Sequence, residues 1–244
     1  MPTRLNSIVF DNITGYFDMA VREQMPDPAR EKTTTGEFGL QWNKLMGQFA
    51  QVIGLVNDIH DRYADMNVMA IGHLEPSFIG KGEEREMVGW QIAIPGRKAD
   101  AALVPYDEVY YLNTIPTAIG GVPMRKLIAQ NVLIEGYPFK AKTRMGIGSP
   151  IGPNPTPTWQ AVLASLPAGR PAPRRVLLVG DAGAGKTTFA ATLPAPVGFI
   201  DIWGGTQVVT LKEGVHAVCP RSVDQVFKVM LKLRANPTVE ALAL

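Results

Sequence analysis

The chain has 244 residues, 46% hydrophobic and 19% charged, ordinary globular material long enough to bury one sizeable α/β core. A formal net charge of +2 is too small to argue for nucleic acid by itself, so any DNA site must be local. The lone Cys219 excludes an intramolecular disulfide. Met1 to Phe10 lack the features of a signal peptide, and no apolar run approaches the roughly 20 residues of a bilayer span, so a cytosolic setting without membrane insertion is expected.

Leu5 to Phe10 is a short apolar run that ends at Asp11 and reads as a buried strand presenting an acid at its carboxyl end. Residues 14 to 24 read as a helix, and Met25 to Gly36 as an exposed loop containing Arg30 and Lys32. From Trp42 to Tyr63, apolar residues at Leu45, Phe49, Val52, Ile53, Val56 and Ile59 recur at spacings of three and four and predict one face of a long helix. Asn67 to Gly72 reads as another buried strand, delivering His73, Leu74 and Glu75 into a glycine- and charge-rich loop, Pro76 to Gly89. Strand-like pieces follow at Trp90 to Ile94, Glu108 to Asn113 and Val132 to Glu135.

Between Gly148 and Arg175 proline recurs at 150, 153, 155, 157, 167, 171 and 173, which predicts a linker (149–175) with one short helix, Trp159 to Leu166. It separates residues 1–148 from residues 176–244, two halves of one expected domain. After it come an apolar strand, Val176 to Val179, a glycine loop, a helix from Lys186, a strand at Val197 to Ile202 and a helix at Val223 to Leu233.

The segment Gly180-Asp181-Ala182-Gly183-Ala184-Gly185-Lys186-Thr187 has the pattern Gly-x-x-x-x-Gly-Lys-Thr, between an apolar strand and a helix as this motif requires. Its glycines let backbone N–H groups converge on phosphates, and the helix adds its positive end. Lys186 would reach the β and γ phosphates and the Thr187 hydroxyl would ligate Mg²⁺, with Thr188 completing the nucleotide-binding set. A metal bound to triphosphate needs an acid at a neighbouring strand end, and Asp11 supplies one. Its position is unusual: this acid precedes the lysine by most of the chain, whereas in most loop-bearing ATPases it follows.

Read from Val176 through Leu244 and then from Met1, the chain resembles the phage-type RecA-like P-loop ATPases of DNA recombination and annealing, over about 200 residues. Val176 to Thr188 looks like that family's first strand and loop. Phe199-Ile200-Asp201 with Gly204-Gly205-Thr206 looks like its second strand and turn, and Ser7 to Thr14 like its metal-acid strand. Asn67 to Glu75 resembles the strand whose polar end senses the γ-phosphate. Pro95 to Lys98 and Tyr106 to Tyr110 resemble later strands, and Lys142-Thr143-Arg144-Met145-Gly146 matches the Lys-x-Arg-x-Gly element by which such ATPases reach a neighbour's nucleotide. The resemblance implies a single RecA-like α/β domain, with a mainly parallel sheet, helices on both faces and circularly permuted strand order. A linker of about 25 residues reaches about 25 to 30 Å, ample to join the old ends. An exchange of halves between subunits would look the same in sequence.

The resemblance also implies ATP and Mg²⁺ as ligands, a filament or ring of identical subunits, single-stranded DNA, and a phage single-strand-binding or annealing protein as a further partner, in the host cytoplasm. One departure stands out. The family's glutamate two residues beyond the second-strand Asp is replaced by Trp203, so Glu75 or Asp201 is left to position the water, or hydrolysis is slow. His73 suits either a phosphate contact or a structural role. Lys142 and Arg144 read as a trans-acting finger or as a solvated basic turn, and Phe78, Lys81 and Arg85 as a single-strand contact diluted by Glu83, Glu84 and Glu86. Two other readings stay open: an ATP-binding regulatory protein with little hydrolysis, and a DNA-translocating motor or helicase.

Overall fold

The structure, a computed structural model, describes residues 2–24, 37–80, 84–94, 103–115, 124–147, 157–172, 174–209 and 212–244. In chain order the elements are β1 (Ser7–Asp11), α1 (Ile13–Gln24), α2 (Glu37–Arg62), β2 (Asn67–Gly72), β3 (Leu74–Ile79), β4 (Glu86–Ile92), β5 (Glu108–Ile115), β6 (Met124–Ile128), β7 (Val132–Ile134), β8 (Tyr137–Phe139) and β9 (Lys142–Thr143). There follow α3 (Trp159–Ala164), β10 (Arg175–Val179), α4 (Lys186–Ala190), β11 (Val197–Asp201), β12 (Val215–Val218) and α5 (Val223–Ala235), with 3₁₀ turns at Gly205–Val208 and Val239–Leu242.

The class is α/β, but the sheets are mixed rather than mainly parallel. The larger sheet has the order β12-β11-β1-β2-β10-β5-β6, with β9 also on β5. Neighbours are parallel from β12 to β5, whereas β6 and β9 run antiparallel to β5. The second sheet, β3-β4-β8-β7, combines two antiparallel pairs with one parallel pair. Strands close in sequence, such as β7 and β8, can pair antiparallel through a tight turn, while parallel neighbours need a long crossover.

β1 and β2 are buried throughout because helices cover both faces of the larger sheet. On one face Ile8 and Phe10 pack with Ile13, Tyr16 and Phe17 of α1, Leu45, Phe49 and Val52 of α2, and Val226, Val229 and Leu233 of α5. On the other, Val9, Leu178 and Phe199 pack with Trp159 and Val162 of α3 and Phe189 of α4. The short helix foreseen inside the proline-rich stretch is thus anchored in a core: Trp159 is 2% exposed and its N–H donates to Thr192 Oγ1.

α5 shows how local sequence sets an element. Ser222 caps it by accepting from the Gln225 N–H, Asp224 lies in the first turn, and Lys232 and Arg234 complement the carboxyl end. The residues just beyond it return to β1. Arg4 and Thr238 form an antiparallel bridge, flanked by hydrogen bonds from Leu5 N to the Pro237 carbonyl and from Val239 N to the Thr3 carbonyl. The two ends of the described chain therefore lie together.

One sequence expectation is overturned here. Pro76 to Gly89, read as a loop, instead contributes most of an antiparallel hairpin, β3 with β4, registered from Leu74 opposite Ile92 to Ile79 opposite Glu86. Pairing satisfies the backbone in spite of Pro76, whose missing N–H is tolerated on an edge strand. Strands β6, β8, β9 and β12 also lie beyond the sequence reading.

Candidate functional site

Register brings the chemistry to one edge. Asp11 pairs with Asp201 on one side and Ile71 on the other, and Val179 pairs with Gly72 and Tyr111, so β11, β1, β2 and β10 all end together. The glycine loop rises from β10 at that edge. Gly180 approaches β5 so closely that a Cβ there would stand 2.6 Å from the Leu112 carbonyl oxygen. Gly185 has φ of +90° and caps α4, a conformation costly for any other residue. α4 itself is only five residues, since Pro194 and Pro196 follow within two turns.

The cleft at this edge has a volume of about 420 Å³. Asp11, Asn12, His73, Arg125, Ala182, Gly183, Gly185, Lys186, Thr187, Thr188, Asp201 and Trp203 all line it. The ammonium of Lys186 donates to the carbonyls of Gly180 (2.8 Å) and Asp181 (2.7 Å). Burial pulls its pKa down to about 8, against the raising effect of Asp11 and Asp181.

The Thr187 hydroxyl donates to Asp11 Oδ2 at 2.7 Å, joining residues 176 positions apart. Asp11 is 5% exposed, and burial raises its pKa to about 6, opposed by the Thr187 hydrogen bond and reinforced by the charge of Asp201. The two oxygens suit Mg²⁺: ligands on adjacent vertices of its octahedron lie about 2.9 Å apart, given Mg–O distances of about 2.0–2.1 Å. Among the described residues no group of three or more His, Cys, Asp or Glu converges on a metal position. Thr187 and Asp11 would supply two ligands, leaving the others to phosphate and water.

Asp201 is 1% exposed and fully engaged. Its Oδ1 accepts from the N–H groups of Trp203, Gly204 and Gly205, and its Oδ2 from the N–H and hydroxyl of Thr206. It thereby fixes the turn that carries Trp203 over the cleft. His73 sits across from it, with its Nε2 3.4 Å from Asn12 Nδ2 and its ring against Trp203. Burial, with a smaller contribution from Lys186, lowers the His73 pKa to about 4, so the imidazole is neutral at pH 7.

No family model, curated protein or solved structure matches this chain.

Other expected site residues lie elsewhere. Glu75 Oε1 accepts from Gln91 across the β3–β4 hairpin and does not line the cleft. Lys142 and Thr143 pair with the start of β5, at the amino ends of the parallel strands and so at the edge opposite the glycine loop. There Lys142 directs its ammonium to the carbonyls of Leu103, Val104 and Tyr106, and Arg144 forms an ion pair with Asp107 at 3.4 Å. The buried carboxylate of Glu108 holds this turn by accepting from the N–H groups of Arg144 and Met145. Phe78 and Arg85 meet on the β3–β4 hairpin, the guanidinium 4.0 Å from the ring centroid. Lys81, like the Pro95 to Lys98 segment, lies outside the described residues.

Sequence reasoning missed Arg125 and underrated Asn12. The latter had a signal: an Asn just before a helix, and its Oδ1 accepts from the Gly15 N–H at the start of α1. Arg125 had none, since its approach to the glycine loop depends on β6 pairing back along β5.

Proposed function

We propose that the chain is a RecA-like P-loop protein that binds ATP with Mg²⁺, hydrolyses it slowly, and couples nucleotide to single-stranded DNA in an assembly of identical subunits. The carrying observation is the 2.7 Å contact between Thr187 and Asp11, which brings together the two groups this reading needs from opposite ends of the sequence. It also supports the permuted order, because one chain alone supplies both the glycine loop and the acid.

Slow hydrolysis is favoured by the roles that the cleft's described carboxylates already fill. Among the described residues, the carboxylates lining it are Asp11, assigned to the metal, and Asp201, which accepts from five N–H and O–H donors. Trp203 stands where the family's water-activating glutamate would be. A general base must lie within hydrogen-bond reach of the attacking water, and Glu75 belongs to the hairpin instead.

The DNA part of the reading rests on that hairpin. It begins directly after His73, whose carbonyl accepts from the Ala93 N–H just past β4, so the hairpin is tied to the cleft. It carries an exposed aromatic ring stacked with an arginine, the pairing that backbone-tracking contacts to single strands use. Arg144, 49% exposed at the far edge and ion-paired with Asp107, would have to exchange that partner to reach a neighbouring subunit.

The test is ATP binding and turnover for wild type and Lys186→Ala, with and without single-stranded DNA, at several protein concentrations. ATP binding by wild type that is lost in the variant, with slow turnover raised by DNA and by concentration, is expected. Equal ATP binding by both proteins would overturn the nucleotide reading, and turnover indifferent to DNA would overturn the coupling.

A further inference from the structure

Arg125 enters the cleft from the flank opposite the acids. β6 runs antiparallel to β5, placing Arg125 opposite Thr114, one residue from the carboxyl end of β5. β5 in turn neighbours β10, from which the glycine loop springs, and Gly180 lies against the Leu112 carbonyl. From there the side chain of Arg125 reaches the glycine loop at Gly185. A Cβ built at Gly185 would stand 2.8 Å from its Nε and 3.2 Å from its Cζ. Gly185 is thus constrained twice, by its φ of +90° and by the guanidinium packed against it.

The order of the strand ends gives the cleft a direction. Asp201, Asp11 and Thr187 belong to the β11 and β1 side, Lys186 stands over β10, and Arg125 belongs to the β5 and β6 side. In the reading above Thr187 and Asp11 would hold a metal on the flank of the β and γ phosphates. The opposite flank is left for the α-phosphate and the nucleoside.

We infer that Arg125 is a second phosphate-binding cation, supplied by the same chain, which grips the nucleotide from the α-phosphate flank. The inference rests on the proposed nucleotide-binding function. A guanidinium is well matched to this role, because it stays charged at any working pH and offers a planar fork of donors to phosphate oxygens. It also differs in kind from a trans-acting arginine, which would act on the γ-phosphate of a neighbour. Because ATP and ADP share the α-phosphate, loss of Arg125 weakens both alike.

The experiment is calorimetric titration of wild type, Arg125→Gln, Arg125→Lys and Lys186→Ala with Mg²⁺ plus either ADP or a non-hydrolysable ATP analogue. Thermal unfolding without nucleotide checks that each variant is folded. Arg125→Gln is expected to lose about tenfold or more in affinity for both nucleotides, with Arg125→Lys between it and wild type. Unchanged binding by a folded Arg125→Gln, or a loss confined to the ATP analogue, overturns the inference while leaving nucleotide binding intact. If Arg125→Gln does not fold, Arg125→Lys decides on the same criteria. Failure of wild type to bind either nucleotide overturns both the inference and the function on which it rests.

Discussion

The indole of Trp203 packs against the imidazole of His73, with ring centroids 5.1 Å apart and planes tilted by 37°. The same indole closes over α1, where a Cβ at Gly15 would meet its Nε1 at 2.7 Å. Trp203 is nevertheless 52% exposed and lines the cleft, so a ligand entering the cleft must change its solvent contact. Addition of Mg²⁺ and ATP is expected to change the protein's tryptophan emission, and Trp203→Phe to abolish most of that change. A response that persists in the variant would place its source at Trp42, Trp90 or Trp159 and remove Trp203 from the site.

Replacing the indole by a carboxylate tests the proposal of slow turnover. Trp203→Glu puts an acid on the turn that Asp201 holds in place, facing His73. A positioned general base contributes about 10²–10⁴-fold, so even imperfect placement is expected to raise turnover about tenfold. Turnover no higher than wild type, with ATP still bound, would show that more than a base is missing.

Asp11 carries its charge at a cost to stability. Its pKa is raised from 3.8 to about 6, so between those values the folded state holds a proton that the unfolded state has released. Stability from this group is therefore present at low pH and falls as pH rises from about 4 to about 6. Above that window the cost of the buried charge is about 3 kcal/mol at 1.36 kcal/mol per pH unit. Asp11→Asn removes the charge while keeping an oxygen for Thr187. At pH 8 without nucleotide it is expected to be more stable than wild type in denaturant unfolding, by about 1–3 kcal/mol. Its affinity for Mg²⁺ with ATP should fall about tenfold. A variant that is less stable and binds normally would contradict both assignments.

Lys186 gives the opposite proton signature. Its pKa is lowered to about 8, so near pH 8.5 much of it is neutral, and an incoming phosphate favours the charged form. Nucleotide binding should take up a proton near pH 8.5 and weaken as pH rises further. Near pH 6 the metal should instead displace the proton of Asp11. Calorimetry in buffers of different ionisation enthalpy separates the two signs, and Lys186→Arg, whose guanidinium stays charged at this pH, should bind without the alkaline uptake. The same uptake in that variant would assign the proton elsewhere.

What the sequence revealed and what it hid follow from the range of the interactions. β1, β2, β10 and β11 were legible because strands buried on both faces read as short continuous apolar runs. The glycine loop was legible because its pattern is local, and Asp11 because an acid ending such a run is conspicuous. The β3–β4 hairpin was not, because its burial follows no clean alternation and it contains Pro76 among charged residues. Arg125 was hidden more deeply, since only the antiparallel return of β6 brings it to Gly185.

The adjacency of the chain's ends yields the last prediction. The Val239 N–H donates to the Thr3 carbonyl and the Leu5 N–H to the Pro237 carbonyl, each within 2.9 Å. Only the few residues beyond each pair separate Leu244 from Met1, so a short glycine-rich connection can join them without moving β1 or the 3₁₀ turn at Val239–Leu242. New ends can then be opened at the exposed residues 168–171, ahead of β10. The rearranged chain meets the glycine loop first and Asp11 afterwards, while the sheet order β12-β11-β1-β2-β10-β5-β6 is preserved. It is expected to fold and to bind Mg²⁺ with ATP within about threefold of the original, less than 1 kcal/mol. Because Thr187 and Asp11 would still meet, loss of binding in a folded rearranged chain would show that the site depends on chain order as well as on strand order.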